Sequence, residues 1–158
     1  MDANREIQVR MCEVRVGNGQ DILRATLGSC VGIGLLWRQQ GRYGLAHCLL
    51  PEAPPQGSGG GAKYVTDALP SLLSLMEIPP ARFGQIEAVV AGGACMVQHQ
   101  VPPKHGLIGE QNAKMAQRLL ASAGIRVVHV DVGGECGRQL LIDCAENQYV
   151  VRTIGRPT

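Results

Sequence analysis

Val31-Gly32-Ile33-Gly34-Leu35-Leu36-Trp37, then Arg38-Gln39-Gln40-Gly41, then Arg42-Tyr43-Gly44-Leu45-Ala46-His47-Cys48-Leu49-Leu50 are two apolar runs around a short polar link. Runs of this length bounded by turn residues predict two strands joined as a hairpin. Upstream, Ile7, Val9 and Met11 alternate, and Cys12, Val14 and Val16 alternate on the opposite phase. A bulge or break near Met11 reconciles the two runs. Gly17-Asn18-Gly19 makes a turn, and residues 22–27 predict another short strand.

Downstream, Pro51 closes the block and residues 53–62 form a Pro/Gly-rich surface loop with no core-forming residue. A helix is expected from Lys63 and Tyr64, with Val65, Ala68, Leu69, Leu72 and Met76 on one face. Pro70 lacks a backbone donor and should bend that helix or divide it in two. Residues 86–94 predict a buried strand running into a glycine pair, followed by a Pro/Gly loop over 98–109. Asn112 can cap a second helix that carries Ala116, Leu119, Leu120 and Ala123 inward and stops at Gly124. A strand over 126–131 and a hairpin of 139–144 with 148–154 complete the chain. Many strands with two helices indicate an α+β or mixed α/β sandwich.

The 158 residues suit one domain, 1–158, with no linker to divide it. Apolar residues make up 45% and charged residues 18%, a globular composition. The net charge of +2 is scattered, and only five aromatics are present, which argues against a nucleic-acid partner. No stretch approaches the roughly 20 apolar residues of a membrane span, so direct membrane insertion is not expected. MDANREIQVR does not read as a secretory signal. Six cysteines, Cys12, Cys30, Cys48, Cys95, Cys136 and Cys144, include no CxxC pair. The expectation is a cytoplasmic protein with reduced thiols, most of them small buried hydrophobes, and no metal.

Two segments could carry chemistry: Leu27-Gly28-Ser29-Cys30-Val31 and Gly44-Leu45-Ala46-His47-Cys48. Gly28 opens the backbone beside Cys30, and the amides around Ser29 and Cys30 could form an oxyanion hole. His47, 17 residues after Cys30, lies on a strand that can pair with the one that follows the cysteine. A nearby imidazole would hold the thiol as thiolate, the nucleophile–base pair of acyl transfer. Against this stands the plainer account, a core cysteine and a satisfied core histidine. His47 and Cys48 point to opposite faces of a strand, so only one of them can face Cys30.

In this order, LGSC (27–30), the His of AHCLLP (46–51), Lys63-Tyr64, Ala91-Gly92-Gly93-Ala94 with Met96, Ile108-Gly109 with Asn112, Asp131 with Gly133, Gly134, Gly137 and Arg138, and Val151-Arg152 resemble the CheD-type chemoreceptor glutamine deamidases. The resemblance runs through nearly the whole chain. It implies a single-domain three-layer α/β/α sandwich around a mixed, largely antiparallel β core. It also implies a cofactor-free hydrolase that converts receptor glutamines to glutamates, and in some members cleaves glutamate methyl esters. Cys30 would attack the carboxamide carbon, and His47 would serve as base and then as acid. The implied partners are the cytoplasmic helices of chemotaxis receptors and a CheC-like phosphatase. A docking module with little turnover is the competing expectation.

One position departs from the family pattern, in which a Thr lies six residues before the Cys; here Arg24 stands there. Thr26, which an extended strand would place on one face with Arg24, Gly28 and Cys30, can take over the orienting role. Alternatively the family spacing varies, or Arg24 impairs catalysis and leaves a binding protein. Ser29 is either a substrate contact or a turn hydroxyl. Gly57-Ser58-Gly59-Gly60-Gly61-Ala62-Lys63 fails as a phosphate loop, because Ala62 and Tyr64 stand where Gly and Ser or Thr are needed. It is better read as a flexible rim. His99 and His105 read as surface residues and His129 as structural. Asp131 and Arg138 are expected to hold a turn by a charge-assisted hydrogen bond.

Overall fold

The computed structural model describes residues 5–57, 59–95 and 106–155. Met96, Pro102, Pro103, His99 and His105 lie outside them. Strands β1 (Arg5–Gln8), β3 (Asp21–Leu27), β8 (Gly137–Asp143) and β9 (Gln148–Ile154) form a four-stranded sheet in the order β1-β3-β8-β9. Strands β2 (Val14–Gly17), β5 (Arg42–Cys48), β4 (Val31–Trp37), β6 (Glu87–Gly92) and β7 (Arg126–Val132) form a five-stranded sheet in the order β2-β5-β4-β6-β7. Helices α1 (Val65–Leu75) and α2 (Ile108–Ala123) pack on the five-stranded sheet.

The mixed α/β class holds, and the pairing is antiparallel except for β1–β3 and β6–β7. The layers run helices, five-stranded sheet, four-stranded sheet, so a sheet stands where a second helical layer was expected. The reason lies in the alternation of β3: Leu23, Ala25 and Leu27 turn inward and, with Leu140 and Ile142 of β8, cover the second face of the five-stranded sheet. Two cores result. Val31, Ile33, Leu35, Ala46, Cys48 and Val90 meet the helices. Leu36, Leu45, Val89 and Ala91 meet the four-stranded sheet. A central strand buried on both faces reads as a continuous apolar run, which is how β4 is written in the sequence.

The break near Met11 is real and has a larger consequence than a bulge. Residues 10–13 turn, with Cys12 at φ 73°, and carry the chain from β1 in one sheet to β2 in the other. Pro70 does not divide α1: it lies on the exposed face of a continuous helix, where water can reach the backbone group it leaves unpaired. Asn112 is not a cap. Helix α2 begins at Ile108, and Asn112 is fully buried within it. Gly124 ends α2 in the left-handed conformation, as expected.

Candidate active site

The β4–β5 register decides which residue faces Cys30. Val31 pairs with Cys48 and Gly32 with His47. Directly opposed residues in an antiparallel pair share a face. Val31 and Cys48 belong to the helix-side core, whereas Cys30 packs between the sheets with Leu27 and Ala91. Gly32, and with it His47, therefore shares the Cys30 side. Cys30 immediately precedes Val31 at the end of β4 where His47 pairs, and both residues are buried. A side chain at Gly32 would run into Leu27 and Leu140, so glycine lets these leucines of the four-stranded sheet pack closely on β4.

The crossover between the sheets holds His47 in three places. Its Nδ1–H donates to the Val9 carbonyl at 3.0 Å, its backbone N–H to the Glu13 carbonyl, and its carbonyl accepts from the Cys12 amide at 2.8 Å. A carbonyl can only accept, so the proton sits on Nδ1 and Nε2 is left as the basic nitrogen. Burial pushes the His47 pKa down, opposed by the Val9 bond and the Glu13 charge.

Thr26 takes no part in this arrangement. The chain bends at 28–30 after β3, so the extended face expected to join Thr26 to Cys30 does not exist. Leu27 points in and Thr26 out, exposed on the outer face of the four-stranded sheet beside Gln139. Arg24 lies on the same outer face, paired with Glu6 at 2.9 Å. Sequence reasoning had no access to the group that does bond the imidazole, because a backbone carbonyl has no residue signature. In solution, the histidine ring nitrogen spectrum is expected to show His47 protonated at Nδ1. Thr26→Ala should leave that spectrum unchanged and the stability within about 0.5 kcal/mol. A shift of the proton to Nε2 in Thr26→Ala would restore the threonine as the orienting group.

The thiol also differs from expectation. Burial, and then the neighbouring Cys12, push the Cys30 pKa up, with its own backbone amide opposing. Charge is thus disfavoured in both groups, Cys30 being only 4% and His47 only 6% exposed. Alkylation of Cys30 should therefore climb through and above the ordinary thiol range, near pH 8.5, with no plateau at neutrality. For stability the signs oppose. Unfolded His47 takes up its proton at higher pH than the folded residue, so its contribution is lost as pH falls below about 6.5. Unfolded Cys30 ionises at lower pH than folded, so its contribution is lost in alkali. Cys144, pushed up to about 12 by burial and the nearby Asp21, adds to that alkaline loss.

The turn itself is pinned from outside. Gly28 O accepts from the Ala94 amide and Cys30 O from the Gly93 amide. Ser29 is half-buried, and its carbonyl accepts from Asn112. Two further expectations can be placed. His129 bonds the Tyr149 hydroxyl across the two sheets, and Arg138 of β8 meets Asp131 of β7 at 2.9 Å, which ties the sheets together at the same end. All six cysteines are free thiols. Among the described residues, no helix is long and apolar enough to cross a membrane.

Comparison with known proteins places the chain in a family. A probable chemoreceptor glutamine deamidase CheD 2 of Ruegeria sp. is 36% identical over 96% of this chain and 93% of its own. A protein of Pyrococcus abyssi, named a probable chemoreceptor glutamine deamidase CheD, is 39% identical over 95% of this chain and 93% of its own. Among solved structures, a Neisseria meningitidis protein of the family-model DUF152 superposes with a TM-score of 0.50 at 14% identity. That match covers 78% of this chain and 54% of the other, and it speaks to fold alone. The family model described as CheD chemotactic sensory transduction matches residues 49–153, which begin after both Cys30 and His47, and together with these full-length relatives it makes the chain a member of the CheD family.

Proposed function

We propose that the chain is a hydrolase that converts glutamine side chains on the cytoplasmic helices of chemotaxis receptors to glutamates, with Cys30 as nucleophile and His47 as base and acid. The observation that carries this reading is the register that puts His47 on the Cys30 side, with the imidazole proton on Nδ1 and Nε2 as the basic nitrogen. Nε2 takes the thiol proton as Cys30 Sγ bonds to the carboxamide carbon, so a preformed thiolate is not needed. The Ser29 and Cys30 amides receive the oxyanion, with Gly28 opening the turn. The intermediate collapses to a thioester as the imidazolium protonates the departing ammonia. Water, deprotonated by Nε2, cleaves the thioester to glutamate and regenerates the thiol. A glutamate methyl ester would follow the same course with methanol as the leaving group. Neither path requires a cofactor, and the site of action is cytoplasmic because the receptor helices are.

A docking module for receptor helices or a CheC-like phosphatase, with little turnover, is the second reading. The burial of Cys30 and its raised pKa favour it. Peptide mass spectrometry of a receptor cytoplasmic fragment from the same cell separates the two. Gln-to-Glu conversion that requires Cys30 and His47 supports the enzyme. Binding without conversion supports the docking module.

A further inference from the structure

We infer that Asn112 is a positioning residue that sets the oxyanion-binding amides of the Cys30 turn, an inference that rests on the reaction proposed above. The carboxamide of Asn112 reaches from the second turn of α2 into the interior and is fully buried. Its Nδ2 donates to Ser29 O at 3.2 Å and to Leu49 O at 3.0 Å. One side chain thus joins the residue before Cys30 to the residue two past His47. Only the amino end of the amide can serve two carbonyls, so the orientation is fixed. Among the described residues its Oδ1 is buried with no partner, a cost that an apolar residue of similar size would not carry. A side chain kept for packing alone has no reason to bear it.

The consequence for chemistry follows from the planarity of the peptide. In a trans peptide the N–H points opposite to the C=O of the same unit. Pinning Ser29 O to Asn112 therefore aims the Cys30 N–H away from α2, and pinning Gly28 O to the Ala94 amide aims the Ser29 N–H away from Ala94. Among the described residues no backbone carbonyl takes either amide. Two adjacent donors are left side by side at the nucleophile, held from behind. The anchor is itself rigid. Gly109 of α2 lies against Gly93 and Ala94, where an added Cβ would come within 2.4 Å of Gly93 O. This close approach of helix to strand is what brings Asn112 within reach of the turn.

The test compares two reactions of one thiol. Alkylation by iodoacetamide is a displacement that develops no oxyanion, whereas deamidation does. In Asn112→Ala, kcat for a receptor fragment should fall on the order of 10²-fold, the loss typical of one misplaced oxyanion donor. KM and the rate of Cys30 alkylation should change little. Asn112→Asp provides a second variant. Its buried carboxyl, facing two carbonyls, can donate one hydrogen bond only while protonated. Its deamidation rate relative to wild type should therefore fall as pH rises, while the ratio for Asn112→Ala stays flat. Alkylation and deamidation falling together, with no pH dependence separating the two variants, would reduce Asn112 to a structural residue. Full kcat in Asn112→Ala would remove the role outright. Absence of turnover in the wild-type protein overturns the reaction first and this role with it, an outcome distinct from the other two.

Discussion

Replacing Cys30 by Ala should abolish conversion of receptor glutamines, with a loss on the order of 10⁵-fold or greater, and His47→Ala should come close to it. Nucleophile and base act on one proton and one bond, so removing either removes most of what the pair supplies. The structure adds a sharper expectation about what is left intact. Cys30 is 4% exposed in the core between the sheets, and its side chain is small. Alanine there deletes one buried sulfur, and the fold should lose only about 1 kcal/mol. His47→Ala is different, because it deletes a buried ring and leaves Val9 O without its donor. It should cost about 2–3 kcal/mol. Binding of the receptor fragment, measured by titration calorimetry, should survive in Cys30→Ala. If Cys30→Ala converts glutamines at even a tenth of the wild-type rate, the thioester path is wrong. If it neither converts nor binds, the defect lies in the fold rather than in the chemistry.

The hairpin that carries His47 was legible in the sequence. Residues 31–37 and 42–48 announce two strands and their link, and once the link length is known the register follows. That register answers a question the sequence left open, whether His47 or Cys48 faces Cys30. The third position was not legible. The argument for Thr26 assumed that an extended face continues from Arg24 to Cys30, but period-2 alternation holds only while the strand lasts, and β3 ends at Leu27. The bond that holds His47 comes from Val9, a residue whose side chain merely reads as core. Asn112 stood where a helix cap is plausible, and nothing local distinguishes a cap from a buried amide one turn farther along. Strand partners were hidden for a related reason. Alternation reports which face of a strand is buried and is silent on the neighbour, so the parallel β1–β3 and β6–β7 pairs appear only in three dimensions. The third layer is also a matter of pairing, since β3, β8 and β9 read the same whether they extend one sheet or build a second.

Gly92→Ala should do more damage than any other single methyl group added near the site. Gly92 ends β6 at φ 106°, a conformation that side chains rarely adopt, and a Cβ there would lie 2.3 Å from Cys30 O. The atom in the way is backbone and cannot rotate aside. It is also the carbonyl held by the Gly93 amide, so relieving the clash means moving the turn that presents Cys30. Gly19→Ala separates the two contributions. Gly19 has φ 59° with nothing within 4 Å of its added Cβ, so alanine there meets backbone strain alone. It should cost about 1 kcal/mol and leave activity intact. Gly92→Ala should cost about 3 kcal/mol or more, lowering Tm by roughly 6–12 °C for a domain of this size, and deamidation should fall well beyond the loss of folded protein. Thermal melts and rates normalised to folded protein read the two effects separately. Equal costs in the two variants would mean that the turn yields freely at Cys30 O. The rigidity on which both the nucleophile and its amides depend would then have to come from the Asn112 and Ala94 contacts alone.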